Sequence, residues 1–116
     1  MKEAWVSQMR KGLVELGVLS VLHNAETYGY HIVQTLALVE GLAITESTIY
    51  PVLARLEEDA CISVRVAPSP NGPQRRYYRL TQVGRDRLSA MAAQWATVKA
   101  SVDRLLATPR QPEAIS

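Results

Sequence analysis

Five arginines, Arg65, Arg75, Arg76, Arg79 and Arg85, fall in one stretch of the 116-residue chain, and no aspartate or glutamate stands between Ala60 and Arg85. The net charge is only +2, so the cationic character lies in the distribution rather than the total. A guanidinium is planar, permanently charged and matched to phosphate, so a one-sided run of them suits a nucleic-acid backbone. A second set precedes it in Thr45–Ala60, TESTIYPVLARLEEDA. On a helix, Ile49, Leu53, Leu56 and Ala60 make an apolar stripe. Ser47, Pro51, Ala54 and Arg55 then share the opposite face, with Thr48 and Tyr50 on its flanks. That face is short, polar and nearly flat, with one long cation, and fits a DNA major groove. Glu57, Glu58 and Asp59 crowd the far end, where phosphates would repel them. The helix must therefore enter N-terminus first, which also points the positive end of its dipole at the phosphates.

Other chemistries find little support. There are no paired carboxylates at catalytic spacing, no Gly-rich phosphate loop and no metal-ligand cluster, so the expectation is a non-enzyme without catalytic residues, metal or cofactor. His31 has no His or Cys at ligand spacing and reads as a polar helix residue. A single cysteine, Cys61, excludes an intramolecular disulfide and reads as a small core residue near a helix end. With no signal peptide and no apolar run of about 18 residues, a soluble cytoplasmic protein is expected.

The elements that must position these residues follow in order. Lys2–Leu22 reads as a first helix. Its second half, LVELGVLSVL, is apolar on nearly all sides and so calls for cover on two sides. Gly12 and Gly17 each weaken it by about 1 kcal/mol relative to Ala, as close approach of another helix would explain. His23–Thr27 is a polar turn. YGYHIVQTLALVEG forms a second helix with Gly41 as its stop. Leu42–Ile44 is a short apolar link, with at most one or two bonds of strand. Thr45 then caps the helix of TESTIYPVLARLEEDA, and Pro51, within its first two turns, loosens rather than breaks it. Helix, tight link, helix is a helix-turn-helix. Cys61–Ala67 and RRYYRLT alternate as two strands around the turn-rich loop PSPNGPQ. A hairpin in this place is a wing, and Arg75 and Arg76 stand where they reach phosphates or a narrow minor groove.

Thr81 caps a last helix. Along it Leu88, Met91, Trp95, Val98, Val102 and Leu105 step by three, four, three, four, three, an a/d seam. A homodimer buries such a seam together with the twice-covered first helix, and sets two reading helices against half-sites about 34 Å apart. Trp95, with Met91 beside it, has two readings: dimer core, or one wall of an apolar slot for a planar aromatic effector. The fold class is mainly α with a small β-hairpin. A winged helix-turn-helix, with its N-terminal helix, spans 1–80, a C-terminal dimerisation helix 81–107, and a disordered tail 108–116.

The stretches QMRKGLVELGVLSVL, ETYGYHI, STIYPVLARLEEDACI and GPQRRYYRLTQVGRDRL, in this order and spacing, resemble the PadR family of bacterial transcriptional regulators. TIYP and RRYYRLT are the specific segments, and the match covers Gln8 to Leu88, about two-thirds of the chain. The resemblance implies a winged-helix repressor of double-stranded DNA, bound to a palindromic operator and released by a small aromatic or drug-like effector. It places base and phosphate contacts on Ser47, Thr48, Tyr50 and Pro51, the wing contacts on Gly72, Arg75 and Arg76, and Tyr28 near the backbone; Thr45 and Arg55 join them by position. Two departures stand out. Ala60 replaces a common Gly after the recognition helix, so a different exit into the wing is expected, and Ser47 replaces another Gly on the DNA face. The alternative is a winged-helix protein-interaction module without DNA binding.

Overall fold

A computed structural model describes residues 9–42 and 44–110. Helix α1 (Val14–Asn24) buries Val14, Val18, Leu19 and Leu22, which fall on one side at helical spacing. It does not run unbroken from Lys2. Residues 9–11 are helical, Gly12 and Leu13 form a turn, and the part of the expected helix before residue 9 lies outside the described residues. Gly12 carries the highest backbone entropy of any residue type, and the Leu13 N–H donates to the Arg10 carbonyl at 2.8 Å, which closes a tight turn there. Gly17 does face a close neighbour: a Cβ on it would lie 3.3 Å from Leu36 Cδ2, whereas Gly12 faces open space.

The segment expected as a polar turn ends in a strand, β1 (Thr27–Tyr28). Leu42–Ile44, expected as a short apolar link with at most one or two bonds of strand, has no strand in its described residues, and residue 43 lies outside them. Ile44 is instead buried in the core. Helix α2 (Gly29–Ala37) buries Ile32, Val33 and Leu36 and stops four residues short of Gly41. Gly41 sits in the following turn at φ +84°, a left-handed conformation that glycine adopts without steric cost. Val39, beyond the end of the helix, is exposed.

Helix α3 (Glu46–Glu58) buries Ile49, Val52, Leu53 and Leu56. Pro51 lies inside it without ending it, as its early position allows. The Thr45 hydroxyl does not cap the helix but pairs with the Ser47 hydroxyl at 3.0 Å. The Thr45 carbonyl starts the ladder, accepting from the Thr48 and Ile49 N–H groups. At the other end the Cys61 N–H donates to the Leu56 carbonyl and the Ala60 N–H to the Glu57 carbonyl, at 2.9 and 3.0 Å. These two bonds define a Schellman motif, whose turning residue is normally glycine. Ala60 fills that place at φ +60°. The exit is thus the left-handed one despite the alanine, contrary to the altered exit expected, and Ala60 is exposed rather than part of the apolar stripe.

Strands β2 (Ile62–Ser69) and β3 (Gly72–Leu80) pair antiparallel, with Ile62 opposite Leu80 and Ser69 opposite Gly72. The strands reach farther into PSPNGPQ than alternation suggests, leaving Pro70 and Asn71 as the tip, with a bulge between Ala67 and Ser69. Strand β1 joins the other edge of β3, giving the order β1-β3-β2. One sheet face presents Ile62, Tyr78 and Leu80 to the core. The other carries Ser63, Arg65 and Ala67 opposite Arg79, Tyr77 and Arg75.

Helix α4 (Gln82–Ala107) has 26 residues, about 39 Å at 1.5 Å per residue. Thr81 caps it as expected, its hydroxyl accepting from the Gly84 N–H at 3.1 Å. The helix lies so close to the wing that a Cβ on Gly84 would be 2.0 Å from the Cys61 carbonyl oxygen. Leu88 and Met91 pack partly against the chain's own core. Beyond Met91 the helix carries its apolar residues exposed, and the molecule measures 68 × 36 × 21 Å. Of the expected tail, residues 108–110 have no helix or strand, and 111–116 lie outside the described residues.

Candidate nucleic-acid interface

The polar side of α3 is exposed because the other side is held in the core by Ile49, Val52, Leu53 and Leu56. Its residues divide into two groups. Tyr50 leans toward α2, where a Cβ on Gly29 would come within 2.7 Å of its ring; only a glycine lets the ring lie so close to the α2 backbone. Partial burial there pushes the Tyr50 hydroxyl above its ordinary pKa, with Glu46 and Tyr78 adding to it. Ser47, Thr48, Pro51 and Arg55 face the other way, along a groove of about 460 Å³ shared with Glu15 of α1 and Met91 of α4. Arg55 reaches across to Glu15 at 3.4 Å.

The wing arginines occupy different faces. Arg75 lies over the Tyr28 ring, 4.3 Å from its centroid, and Tyr28 in turn meets the edge of Tyr77. Tyr28 and Gly29 thus bring the wing cation Arg75 and the helix residue Tyr50 to one corner of the fold. Arg76, one residue on, points to the opposite face, as strand alternation dictates. It bonds Glu57 of α3 at 3.3 Å and the Tyr78 hydroxyl at 3.4 Å. Gly72 stands at the hairpin tip beside Ser69. Arg65 is held bidentate by Glu26 at 2.7–3.0 Å, which keeps the Glu26 carboxyl below its ordinary pKa.

Two charged residues not singled out in the sequence tie the elements together. Arg87 of α4 reaches Asp59 at 3.0 Å and Glu15 at 3.5 Å. Glu15 also receives Arg55, so α1, the C-terminal end of α3 and α4 share one ion network. The pairing is long-range in sequence, and no spacing rule points to it.

The comparisons with known proteins bear on this geometry. The Transcriptional regulator PadR-like family matches residues 18–90, more than half of the chain. The chain belongs to the PadR-like family. A PadR-like transcriptional regulator from Bacillus cereus is 32% identical, covers 89% of this chain and 100% of its own, and superposes with a TM-score of 0.80. A PadR family regulator from Eggerthella lenta is 33% identical with the same TM-score, covering 91% and 92%. An uncharacterized protein of Lysinibacillus sphaericus is 31% identical over 99 residues, 84% of this chain and 91% of that one. As a PadR-like protein the chain is a DNA-binding transcriptional regulator and not an enzyme. No described helix is long and apolar enough to cross a membrane.

In this PadR-like chain Trp95 stands between two apolar grooves against α1. One, of about 600 Å³, is lined by Leu13, Leu16, Met91, Trp95 and Val98 among others. The other, of about 400 Å³, runs from Trp95 past Leu16 and Gly17 to Leu36 and Val39. The second side of α1, left apolar by the sequence, forms a wall of both.

Proposed function

We propose that this PadR-like regulator is a homodimeric repressor that reads a palindromic operator and lets it go when a planar aromatic compound lodges beside Trp95. The outer half of α4 carries this reading. Trp95, Val98, Val102, Leu105 and Leu106 are 41%, 43%, 44%, 75% and 79% exposed among the described residues, a large apolar surface along one helix. A second copy offers the same seam at the same spacing, so a twofold pairing buries both. Leu88 and Met91 anchor the start of the seam to the core and fix its direction.

Each half then meets DNA through α3, entered N-terminus first, with Thr45, Ser47, Thr48, Tyr50 and Pro51 at the major groove and Arg55 farther along the same helix. Gly72, Arg75 and Arg76 of the wing and Tyr28 take the backbone. The Arg55–Glu15 and Arg76–Glu57 pairs are more than 40% exposed on at least one side. Pairs of that kind contribute about 0–1 kcal/mol, so a phosphate can take either arginine. The groove beside Trp95 has the size and apolar lining of a small-molecule site, with Met91 as an adaptable neighbour.

The test is fluorescence anisotropy with labelled DNA from the promoter of its own gene and with an unrelated duplex, each at two salt concentrations. Tight, salt-sensitive binding to the promoter alone supports the reading. Aromatic compounds are then screened for release, with Trp95 emission as a reporter. Val98→Asp with Val102→Asp should give monomers by light scattering. Dimers that survive this change would overturn the seam as the dimer interface, and absence of binding to either duplex at low salt would overturn the reading in favour of a protein-interaction module.

A further inference from the structure

The base of the wing carries a second cationic feature, remote from the hairpin tip. A hollow of about 570 Å³ opens where α1, β2, β3 and the start of α4 meet, and Arg79, Arg85, His23, Ser63 and Gln82 line it. Among the described residues the ion pairs involve Arg55, Arg65, Arg76, Arg87 and Lys99, and neither Arg79 nor Arg85 takes part in one. Both are nevertheless held in place, by neutral oxygens. Arg79 Nε donates to the Ser63 hydroxyl at 3.2 Å. Arg85 donates to Gln82 Oε1 at 3.0 and 3.3 Å and to the Leu80 carbonyl at 3.4 Å. Two acids lie nearby. Glu26 lines the hollow but is engaged bidentate by Arg65. Asp86 accepts from the Gln82 amide at 2.9 Å. The result is a concave site with two oriented guanidinium groups, neither in a salt bridge, beside two carboxylates that are engaged elsewhere.

We propose that this hollow binds a small phosphate-bearing anion. Guanidinium forks recognise phosphate by paired, charge-assisted hydrogen bonds, and the imidazole of His23 and the Gln82 amide supply further polar groups around it. Leu22 and Ala25 on the same lining leave an apolar flank for the body of a phosphomonoester. The operator backbone is the less favoured occupant. Arg79 lies four residues from Arg75 along β3, about 14 Å at 3.4 Å per residue. Thr81, on the lining, also donates to the Ala60 carbonyl at the α3 exit, next in the chain to Glu57, Glu58 and Asp59. A ligand here touches β3 of the wing and the first turn of α4 at once, and so joins the wing to the C-terminal helix.

The experiment is isothermal titration calorimetry of the full chain with inorganic phosphate and with phenyl phosphate, at constant ionic strength set by potassium chloride. Saturable binding is expected at one site per chain, with a Kd of about 1 mM or below. Arg79→Gln and Arg85→Gln should each weaken it about tenfold, while Arg75→Gln, on the same strand face but nearer the tip, should leave it unchanged. Phenyl phosphate binding tighter than inorganic phosphate identifies an ester as the ligand; the reverse order identifies free phosphate, and either supports the site. Without phosphate, both variants should keep their promoter affinity in the anisotropy assay. Absence of saturation with both probes up to about 10 mM, or equal weakening in Arg75→Gln, overturns the proposal. So does a parallel loss of promoter affinity, which would assign Arg79 and Arg85 to the DNA backbone. Arg85→Lys, which keeps the charge and loses the fork, serves if a glutamine variant does not fold; it too should weaken binding, and unchanged binding counts against the site.

Discussion

The alanine at the end of α3 offers a sharp test, because it sits in a conformation that suits it poorly. Ala60 turns the chain at φ +60° between the last bonds of α3 and the first residues of the wing. For an L-residue that conformation costs about 1–2 kcal/mol, from Cβ against the following carbonyl. Ala60→Gly removes the clash and keeps both Schellman bonds, since these are made by the backbone. The side chain is exposed, so no core packing is lost. Against this, glycine raises the entropy of the unfolded chain, which takes back about 0.4–1 kcal/mol. The net expectation is stabilisation by about 0.5–1 kcal/mol, or about 2–6 °C in Tm for a domain of this size. Thermal melts at one fixed protein concentration measure it, because an oligomer's Tm depends on concentration. Ala60→Val should move the other way, since a β-branched side chain is still less at ease at positive φ. A glycine variant that melts at or below the wild-type temperature would refute the reasoning, and would mean that the turn is held by something other than its backbone bonds.

Other outcomes follow from the same geometry. Gly84→Ala drives a Cβ against the Cys61 carbonyl, and should destabilise by about 3 kcal/mol in urea titrations, with the wing loosening from α4. In the anisotropy assay, Arg75→Ala should lower the salt slope of promoter binding by about 0.9 for one lost phosphate contact. Arg76→Ala should lower it less, and Glu57→Gln, which frees Arg76 from its 3.3 Å partner, should raise affinity. The lowered pKa of Glu26 means that its pairing with Arg65 stabilises the fold above the ordinary carboxylate pKa and is lost as pH falls through the folded value. The Tm difference between wild type and Arg65→Gln should therefore be constant near neutrality and close in acid. Burial pushes the Cys61 thiol up, so a thiol-specific chromogenic reagent at neutral pH should label it only as fast as the chain opens.

Local chemistry in the sequence determined much of this protein. The spacing of Ile49, Leu53 and Leu56 defines which side of α3 is buried, because helical periodicity holds wherever the helix is placed. Alternation in CISVRVA and RRYYRLT gives the wing, and the heptad steps from Leu88 to Leu105 give one long helix with an apolar seam. The motifs around TIYP and RRYYRLT give the family. Sequence reasoning failed where a partner is distant or a backbone angle decides. Thr27–Tyr28 is a strand only because β3 lies beside it; two residues carry no alternation of their own. The break at Gly12–Leu13 and the early end of α2 rest on turn geometry, which short-range propensity describes poorly. Ala60 adopts the glycine conformation because the wing strand and α4 must both meet Cys61, whose carbonyl accepts from Thr81 and touches Gly84. The tertiary structure alone gave Arg75 and Arg76 their different neighbours, the Tyr28 ring for one and Glu57 for the other. It also gathered Glu15, Arg55, Asp59 and Arg87 into one network and left Arg79 and Arg85 around a hollow without a carboxylate partner. Charges find one another through space, and sequence separation carries no record of those distances.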